Sequence, residues 1–260
     1  MSRIMGLPPL RQRLMTGAPV SSSWIGGTDP LIHEAFLRAD FDAITFDVQH
    51  GLLDEVSLKL GIERAALLGK PSLVRLPIED RALAARTLDW GASGVILPMV
   101  ESVGDAERLV AATKYPPLGQ RSYGPTRTAV LHGYEDRDDY ARDARNETFA
   151  FAMIETAAAL AALDSILAID GLDGVFVGPS DLSIALSGDG TRSPRGEKAE
   201  TAVRTVADAA KAAGKVSAIY AATPQDAAHY RELGFRLICT GSDLGTIEAA
   251  ANALAKAVRG

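Results

Sequence analysis

Residues 94–113 read GVILPMVESVGDAERLVAAT and hold one complete structural unit. Gly94–Val100 is a clean apolar run, too short for a buried helix or a membrane span. It is continuous rather than alternating, as in a strand covered on both faces. Ser102 follows as a helix N-cap. Ala106, Leu109, Val110 and Thr113 then recur at helical spacing and form one apolar face. A covered strand followed at once by an amphipathic helix is the βα unit of a parallel sheet.

The same unit recurs in both directions along the chain. Apolar runs at Ser22–Ile25, Ala43–Val48, Ser72–Pro77, Phe149–Ile154, Gly174–Val177, Val216–Tyr220 and Leu237–Thr240 bring the expected strands to eight. Helices fit between them. Thr28 can cap one with Pro30 in its first turn. Asp54 opens another, with Val56, Leu60 and Leu67 on one face and Gly69 as its stop. Leu83, Thr87 and Leu88 mark a third ending at Gly91, and Leu160, Leu163 and Leu167 mark a further one. Ala199, Ala202, Val203, Val206 and Ala210 share a face, Thr223-Pro224 starts a helix that stops at Gly234, and Ile247, Ala251, Leu254 and Val258 mark the last. Eight βα units over residues 1–260 predict a single (β/α)8 barrel domain. A doubly wound sheet usually has fewer strands and often a glycine-rich first turn, which is absent here. Leu118–Glu147 and Ser183–Glu197 are long and polar for βα connections. Such loops are usually functional or mobile, and in a barrel they rise on the catalytic face.

The 260 residues are 47% apolar and 23% charged, which excludes disordered and fibrous classes. Net charge is −6 with Lys and Arg scattered, so no nucleic-acid partner is expected. No apolar run is long enough for a membrane partner, and no continuous apolar stretch precedes Ser21, so no secretory leader is expected. Cys239 is the only cysteine, which excludes an internal disulfide and suits a reducing cytoplasm.

Nucleotide loops, zinc-protease motifs and serine elbows are absent. None of Lys59, Lys70, Lys114, Lys198, Lys211, Lys215 and Lys256 falls at the C-terminal end of an expected strand. A Schiff-base mechanism, which needs a lysine at the mouth, is therefore disfavoured. Polar residues instead cluster where strands end. Glu155 and Asp181 would stand on neighbouring strands at one mouth. Either they bind a divalent cation such as Mg²⁺ or Mn²⁺, or they cap a helix and end a turn. Asp47 and His50 form either a carboxylate–imidazole pair or a structural turn. Arg75 lies inside an apolar strand and needs an anionic partner, a carboxylate or a ligand. Asp89 reads locally as a helix-end residue. Arg121, Tyr123 and Arg127 are either solvated or close over an anionic substrate. His33, His132 and His229 read as structural.

Taken together, FDVQH at residues 46–50, Leu73-Val74-Arg75, LDWGA at 88–92, VILPMV at 95–100, YPPLGQRS at 115–122, Ile154-Glu155-Thr156 and GLDGVFVGPSDLS at 171–183 resemble the HpcH/HpaI-type class II (metal-dependent) 2-oxo-acid aldolases. That family includes 4-hydroxy-2-oxoheptanedioate and 2-keto-3-deoxy sugar-acid aldolases. The resemblance spans about residues 20–245. It implies a modified (β/α)8 barrel, the last helix swapped between neighbours in a cytoplasmic homohexamer. It implies Glu155 and Asp181 as ligands of Mg²⁺ or Mn²⁺, with Co²⁺ as a further option. His50 would be the base, Arg75 a transition-state stabiliser, and Asp89 a residue raising the histidine's basicity, with Asp47 beside it. Ser180 and Asp181 would hold the substrate carboxylate, with Arg75 and Met153 also at the substrate.

The implied reaction is reversible cleavage of a 4-hydroxy-2-oxo acid to pyruvate, or a similar 2-oxo acid such as hydroxypyruvate, and an aldehyde. The same enolate would serve a 2-oxo-acid decarboxylase of the oxaloacetate type or a thioester lyase. A barrel scaffold without catalysis is the remaining reading. Two positions depart from the pattern. Many members have Glu where Gln49 stands, and many have Gln where Met153 stands. Methionine cannot donate a hydrogen bond, so the sugar-acid substrates do not carry over.

Overall fold

The computed structural model describes residues 10–16, 18–78 and 80–259. In chain order the elements are α1 (Leu10–Thr16), β1 (Val20–Ile25), α2 (Pro30–Arg38), β2 (Ala43–Asp47), α3 (Glu55–Leu67), β3 (Ser72–Arg75), α4 (Arg81–Trp90), β4 (Gly94–Leu97) and α5 (Val103–Thr113). There follow α6 (Thr128–Leu131), α7 (Arg137–Glu147), β5 (Phe149–Ile154), α8 (Ala157–Ala161), α9 (Leu163–Leu167), β6 (Gly174–Val177), α10 (Pro179–Ser187), α11 (Glu197–Ala212), β7 (Val216–Ala221), α12 (Pro224–Glu232), β8 (Leu237–Ser242) and α13 (Asp243–Arg259). The strands close a barrel in the order β1 to β8. Every pairing is parallel, including β8 back to β1.

Strand periodicity sorts each run into two faces. Phe149, Phe151 and Met153 of β5 fill the barrel interior with Trp24, Phe176 and Ala218. Ala150, Ala152 and Ile154 face outward against the helices. The strand ends differ slightly from those expected. β3 stops at Arg75 and β4 at Leu97, because Pro77 and Pro98 have no N–H for the ladder. β1 begins at Val20 and β8 runs on to Ser242.

Two helical expectations are corrected. Asp29, not Thr28, caps α2, accepting from the Leu31 and Ile32 amides at 2.8 and 3.2 Å. Val56, Leu60 and Leu67 lie on the exposed face of α3, which buries Leu58, Gly61, Ile62 and Ala65 instead. Small residues select that face, since a β-carbon at Gly61 would meet the Phe46 ring at 2.8 Å. Asp54 does cap α3, and Gly91 ends α4 in the left-handed conformation.

The helix α1, not anticipated from the sequence, sets Leu10 and Leu14 against the interior cluster. Arg11 pairs there with Asp173, whose other oxygen is 2.7 Å from Lys114 Nζ. At the other extreme of the chain, α13 buries only Asp243, and Ile247, Leu254 and Val258 stay exposed. Leu118–Glu147 holds α6 and α7 around a small cluster of Ala129, Tyr140 and Ala144. Among the described residues no helix is long and apolar enough to cross a membrane.

Candidate active site

The inward-facing residues at the C-terminal strand ends converge on a cavity of about 380 Å³. Trp24, Asp47, Arg75, Met153, Phe176 and Tyr220 line it from six strands. His50, Ser180 and Asp181 reach it from the loops and from α10. In this fold that end carries the chemistry, while the opposite end serves stability.

Asp47 and Arg75 are register partners on β2 and β3. Arg75 donates Nε to Asp47 Oδ1 at 2.9 Å and Nη2 to Oδ2 at 2.7 Å. The anionic partner that the interior arginine requires is therefore this carboxylate. Burial alone would raise the Asp47 carboxyl, but the Arg75 hydrogen bonds and charge hold it below its ordinary value. Trp24 Nε1 also donates to Asp47 Oδ2 at 3.3 Å, and the Arg75 guanidinium lies 4.9 Å from the Trp24 ring centre. Among the described residues Arg75 Nη1 has no partner in the chain.

The expected Asp47–His50 carboxylate–imidazole pair does not form. Asp47 reaches His50 only at its backbone N–H, 3.3 Å away. The physical reason is competition: a bidentate guanidinium on the neighbouring strand occupies both oxygens. The imidazole is exposed at the cavity. Gln49 has a buried Oε1 without a hydrogen-bond partner.

Glu155 follows β5 two residues after Met153, on the same inward parity. It stands beside the cavity, 2% exposed, and its Oε1 accepts the Met99 amide at 2.7 Å. Burial pushes its carboxyl above the ordinary value, and the nearby Asp181 charge pushes the same way. Asp181 is exposed in the first turn of α10. No side chain caps α10, so its N-terminal amides are open to an anion at the cavity wall.

This donor set suits a hard divalent cation. The Glu155 carboxylate lies within the field of the Asp181 charge, with Arg75 acting in the opposite sense, and carboxylate oxygens are the ligands such an ion prefers. Among the described residues no three His, Cys, Asp or Glu side chains group as a metal cage. A cation here would therefore keep positions for water and substrate.

Asp89 does not line the cavity. Near the end of α4, it is ion-paired to buried Arg121 at 2.6 Å. Among the described residues it makes no hydrogen bond or ion pair to His50, the residue whose basicity the resemblance implies it raises. Of the long-loop residues, Tyr123 donates to Asp138 at 2.6 Å and Arg127 pairs with Glu63 at 3.3 Å. His33 and His132 bond the carbonyls of Gly27 and Gly91, and His229 bonds Glu200.

The sequence reading missed Trp24, Tyr220 and Asp243. Strand parity would have placed the first two inward at their strand ends. Tyr220 meets Trp24 edge to face at 5.2 Å. Asp243 is buried and accepts the Gly26 and Gly27 amides at 3.0 and 2.8 Å, tying the end of β8 to that of β1. No local signal marks it.

A family model described as HpcH/HpaI aldolase/citrate lyase matches residues 21–250. A hydroxypyruvate/pyruvate aldolase of Rhizorhabdus wittichii is 34% identical over 235 residues, covering 90% of this chain and 92% of the relative. A 4-hydroxy-2-oxo-heptane-1,7-dioate aldolase of Salmonella dublin is 31% identical over 245 residues, covering 94% and 92%. The crystal structure of an HpcH/HpaI aldolase from Desulfitobacterium hafniense superposes with a TM-score of 0.87 at 27% identity, covering 96% of each chain. The barrel, the mouth geometry and these likenesses agree, and the chain belongs to the HpcH/HpaI aldolase/citrate lyase family of carbon–carbon lyases.

Proposed function

We propose that this protein is a divalent-metal-dependent aldolase. It reversibly cleaves 4-hydroxy-2-oxo acids to pyruvate, or a related 2-oxo acid such as hydroxypyruvate, and an aldehyde. The observation that carries this reading is one mouth combining an anion-accepting helix end, an anchored guanidinium and two neighbouring carboxylates that make no ion pair among the described residues.

Glu155 and Asp181 would hold the cation, Mg²⁺ or Mn²⁺ by the chemistry of the donor set. When bound, it supplies Lewis acidity that eases loss of a proton from C3 of the 2-oxo acid. The amides of Ser180 and Asp181 at the start of α10 hold the substrate carboxylate. Arg75, oriented through Nε and Nη2 by Asp47, presents Nη1 where the enolate oxygen gains charge. In cleavage the His50 imidazole accepts the proton of the substrate hydroxyl as the C3–C4 bond breaks and delivers it to C3 of the enolate; in synthesis it takes the C3 proton and gives it to the new alkoxide. Met153, Phe176, Trp24 and Tyr220 form the apolar wall that shields the enolate from water. Asp89 lies outside its own chain's cavity and is assigned no step.

The uncovered apolar residues of α13 support a homo-oligomer, with the hexamer as the form we propose. A single buried thiol supports a cytoplasmic setting. The test is a donor and acceptor screen. Pyruvate and hydroxypyruvate are offered to a panel of aldehydes with Mg²⁺, Mn²⁺ and Co²⁺ in parallel, before and after chelation. Adduct formation abolished by EDTA and restored by a divalent ion is expected. Full activity after chelation, or borohydride trapping of an imine, overturns the proposal. Release of carbon dioxide from oxaloacetate with no aldol product would assign the site to decarboxylation instead.

A further inference from the structure

Gly178 lies between β6 and α10 at φ −96° and ψ 88°. A negative φ requires no glycine, so the backbone does not explain the missing side chain. Its neighbour does. A β-carbon at Gly178 would stand 2.4 Å from Glu155 Oε2, 3.1 Å from Met153 Cε, the movable end of its side chain, and 3.3 Å from Glu155 Cβ. Moving the carboxylate aside would disturb the hydrogen bond that the buried Glu155 accepts at Oε1 from the Met99 amide, at 2.7 Å. Met99 is the single non-glycine residue at positive φ among the described residues, at 52°. That conformation is uncommon for a residue with a side chain. The amide of this same residue, after Pro98, is the one that donates to Glu155. The Met99 amide on one side and the absent side chain of Gly178 on the other thus flank the two carboxylate oxygens. Among the described residues Glu155 makes no ion pair, although its carboxyl lies within the field of Asp181.

We infer that Gly178 is a positioning residue of the metal site. Its bare α-carbon leaves the space that Glu155 Oε2 occupies, while Oε1 is committed to the Met99 amide. Glu155 therefore offers a divalent cation one oxygen, Oε2. The inference rests on the reading of Glu155 and Asp181 as metal ligands. A small octahedral ion tolerates little displacement of a ligand, so a methyl group at residue 178 is felt in affinity before it is felt in the fold.

The experiment is calorimetric titration of Mn²⁺ in the absence of substrate, with circular dichroism and thermal unfolding as the check on folding. Wild type, Glu155→Gln, Gly178→Ala and the double variant Gly178→Ala/Glu155→Ala are compared. Glu155→Gln should lose Mn²⁺ binding. Gly178→Ala should stay folded and bind Mn²⁺ at least tenfold more weakly than wild type. Wild-type affinity in Glu155→Gln overturns the ligand reading itself. Loss in Glu155→Gln with affinity kept within threefold in Gly178→Ala overturns the role of Gly178 alone. If Gly178→Ala does not fold, the double variant should, because the colliding oxygen is gone. An unfolded double variant also overturns the inference.

Discussion

Asp47 and Arg75 occupy paired positions on adjacent strands and close a two-point ion pair at the floor of the cavity, at 2.9 and 2.7 Å. The pair converts a flexible cation into a fixed one. Asp47 takes Nε and Nη2, and the packing of the guanidinium over Trp24 limits rotation, so one nitrogen is left for chemistry.

Replacing Arg75 with Lys keeps the charge and removes the fork. Deuterium exchange at C3 of pyruvate should slow by roughly tenfold to a hundredfold, the equivalent of one hydrogen bond to a charged group at about 1.5–3 kcal/mol. Mn²⁺ affinity, measured by calorimetry, should stay near wild type. Normal exchange combined with lost metal binding would show that Arg75 serves the ion and not the enolate.

The same pair predicts a pH dependence of stability. Arg75 hydrogen bonds and charge outweigh burial and set the Asp47 carboxyl below its ordinary value. A group depressed on folding stabilises fully above its unfolded pKa, about 3.9, and the contribution disappears as pH falls through the folded value. Asp47→Asn should therefore be less stable than wild type at pH ~7, by roughly 2 kcal/mol or more for a buried pair broken on one side. The gap should narrow when urea unfolding is repeated below pH ~4. A gap independent of pH would mean that the carboxylate charge is not what stabilises the pair.

Met153 is buried in the cavity wall and presents a thioether, which cannot donate a hydrogen bond. An apolar wall tolerates variation that a hydrogen-bonding site rejects. The enzyme should accept simple aldehydes alongside hydroxylated ones. Met153→Gln should shift relative kcat/KM toward a hydroxylated aldehyde by about 1 kcal/mol, one neutral hydrogen bond. An unchanged ratio between one hydroxylated and one apolar aldehyde would move the selective contact to other parts of the wall.

Lys114 is the one fully buried lysine among the described residues, and burial pulls its pKa down, as in a Schiff-base lysine. Its place decides otherwise. It follows α5 and bonds Asp173 and the Thr148 carbonyl at the barrel end away from the cavity. Lys114→Met should lower stability by about 1–3 kcal/mol, Asp173 keeping Arg11 as partner. Activity per folded molecule should stay unchanged. A loss of turnover without a loss of stability would contradict the separation of the two barrel ends.

The chain order of apolar runs and capping residues by itself determined the barrel. Strands covered on both faces must be apolar throughout, and Asp54 and Ser102 cap helices through contacts a few residues long. The placement of Glu155 and Asp181 after successive strands was legible for the same reason, since a parallel barrel brings strand ends to one mouth. Pairings between distant residues were not. Asp47 lies three residues from His50 but is claimed by Arg75, because barrel register sets those two side by side. Asp89 read as a helix end, and only folding of the long loop brought Arg121 against it. The face that α3 buries followed from Gly61 fitting Phe46, a close approach that hydrophobic spacing does not encode. Local sequence sets backbone propensity and parity within a few residues. Which oxygen meets which cation depends on strand register and packing, and these exist only once the barrel has closed.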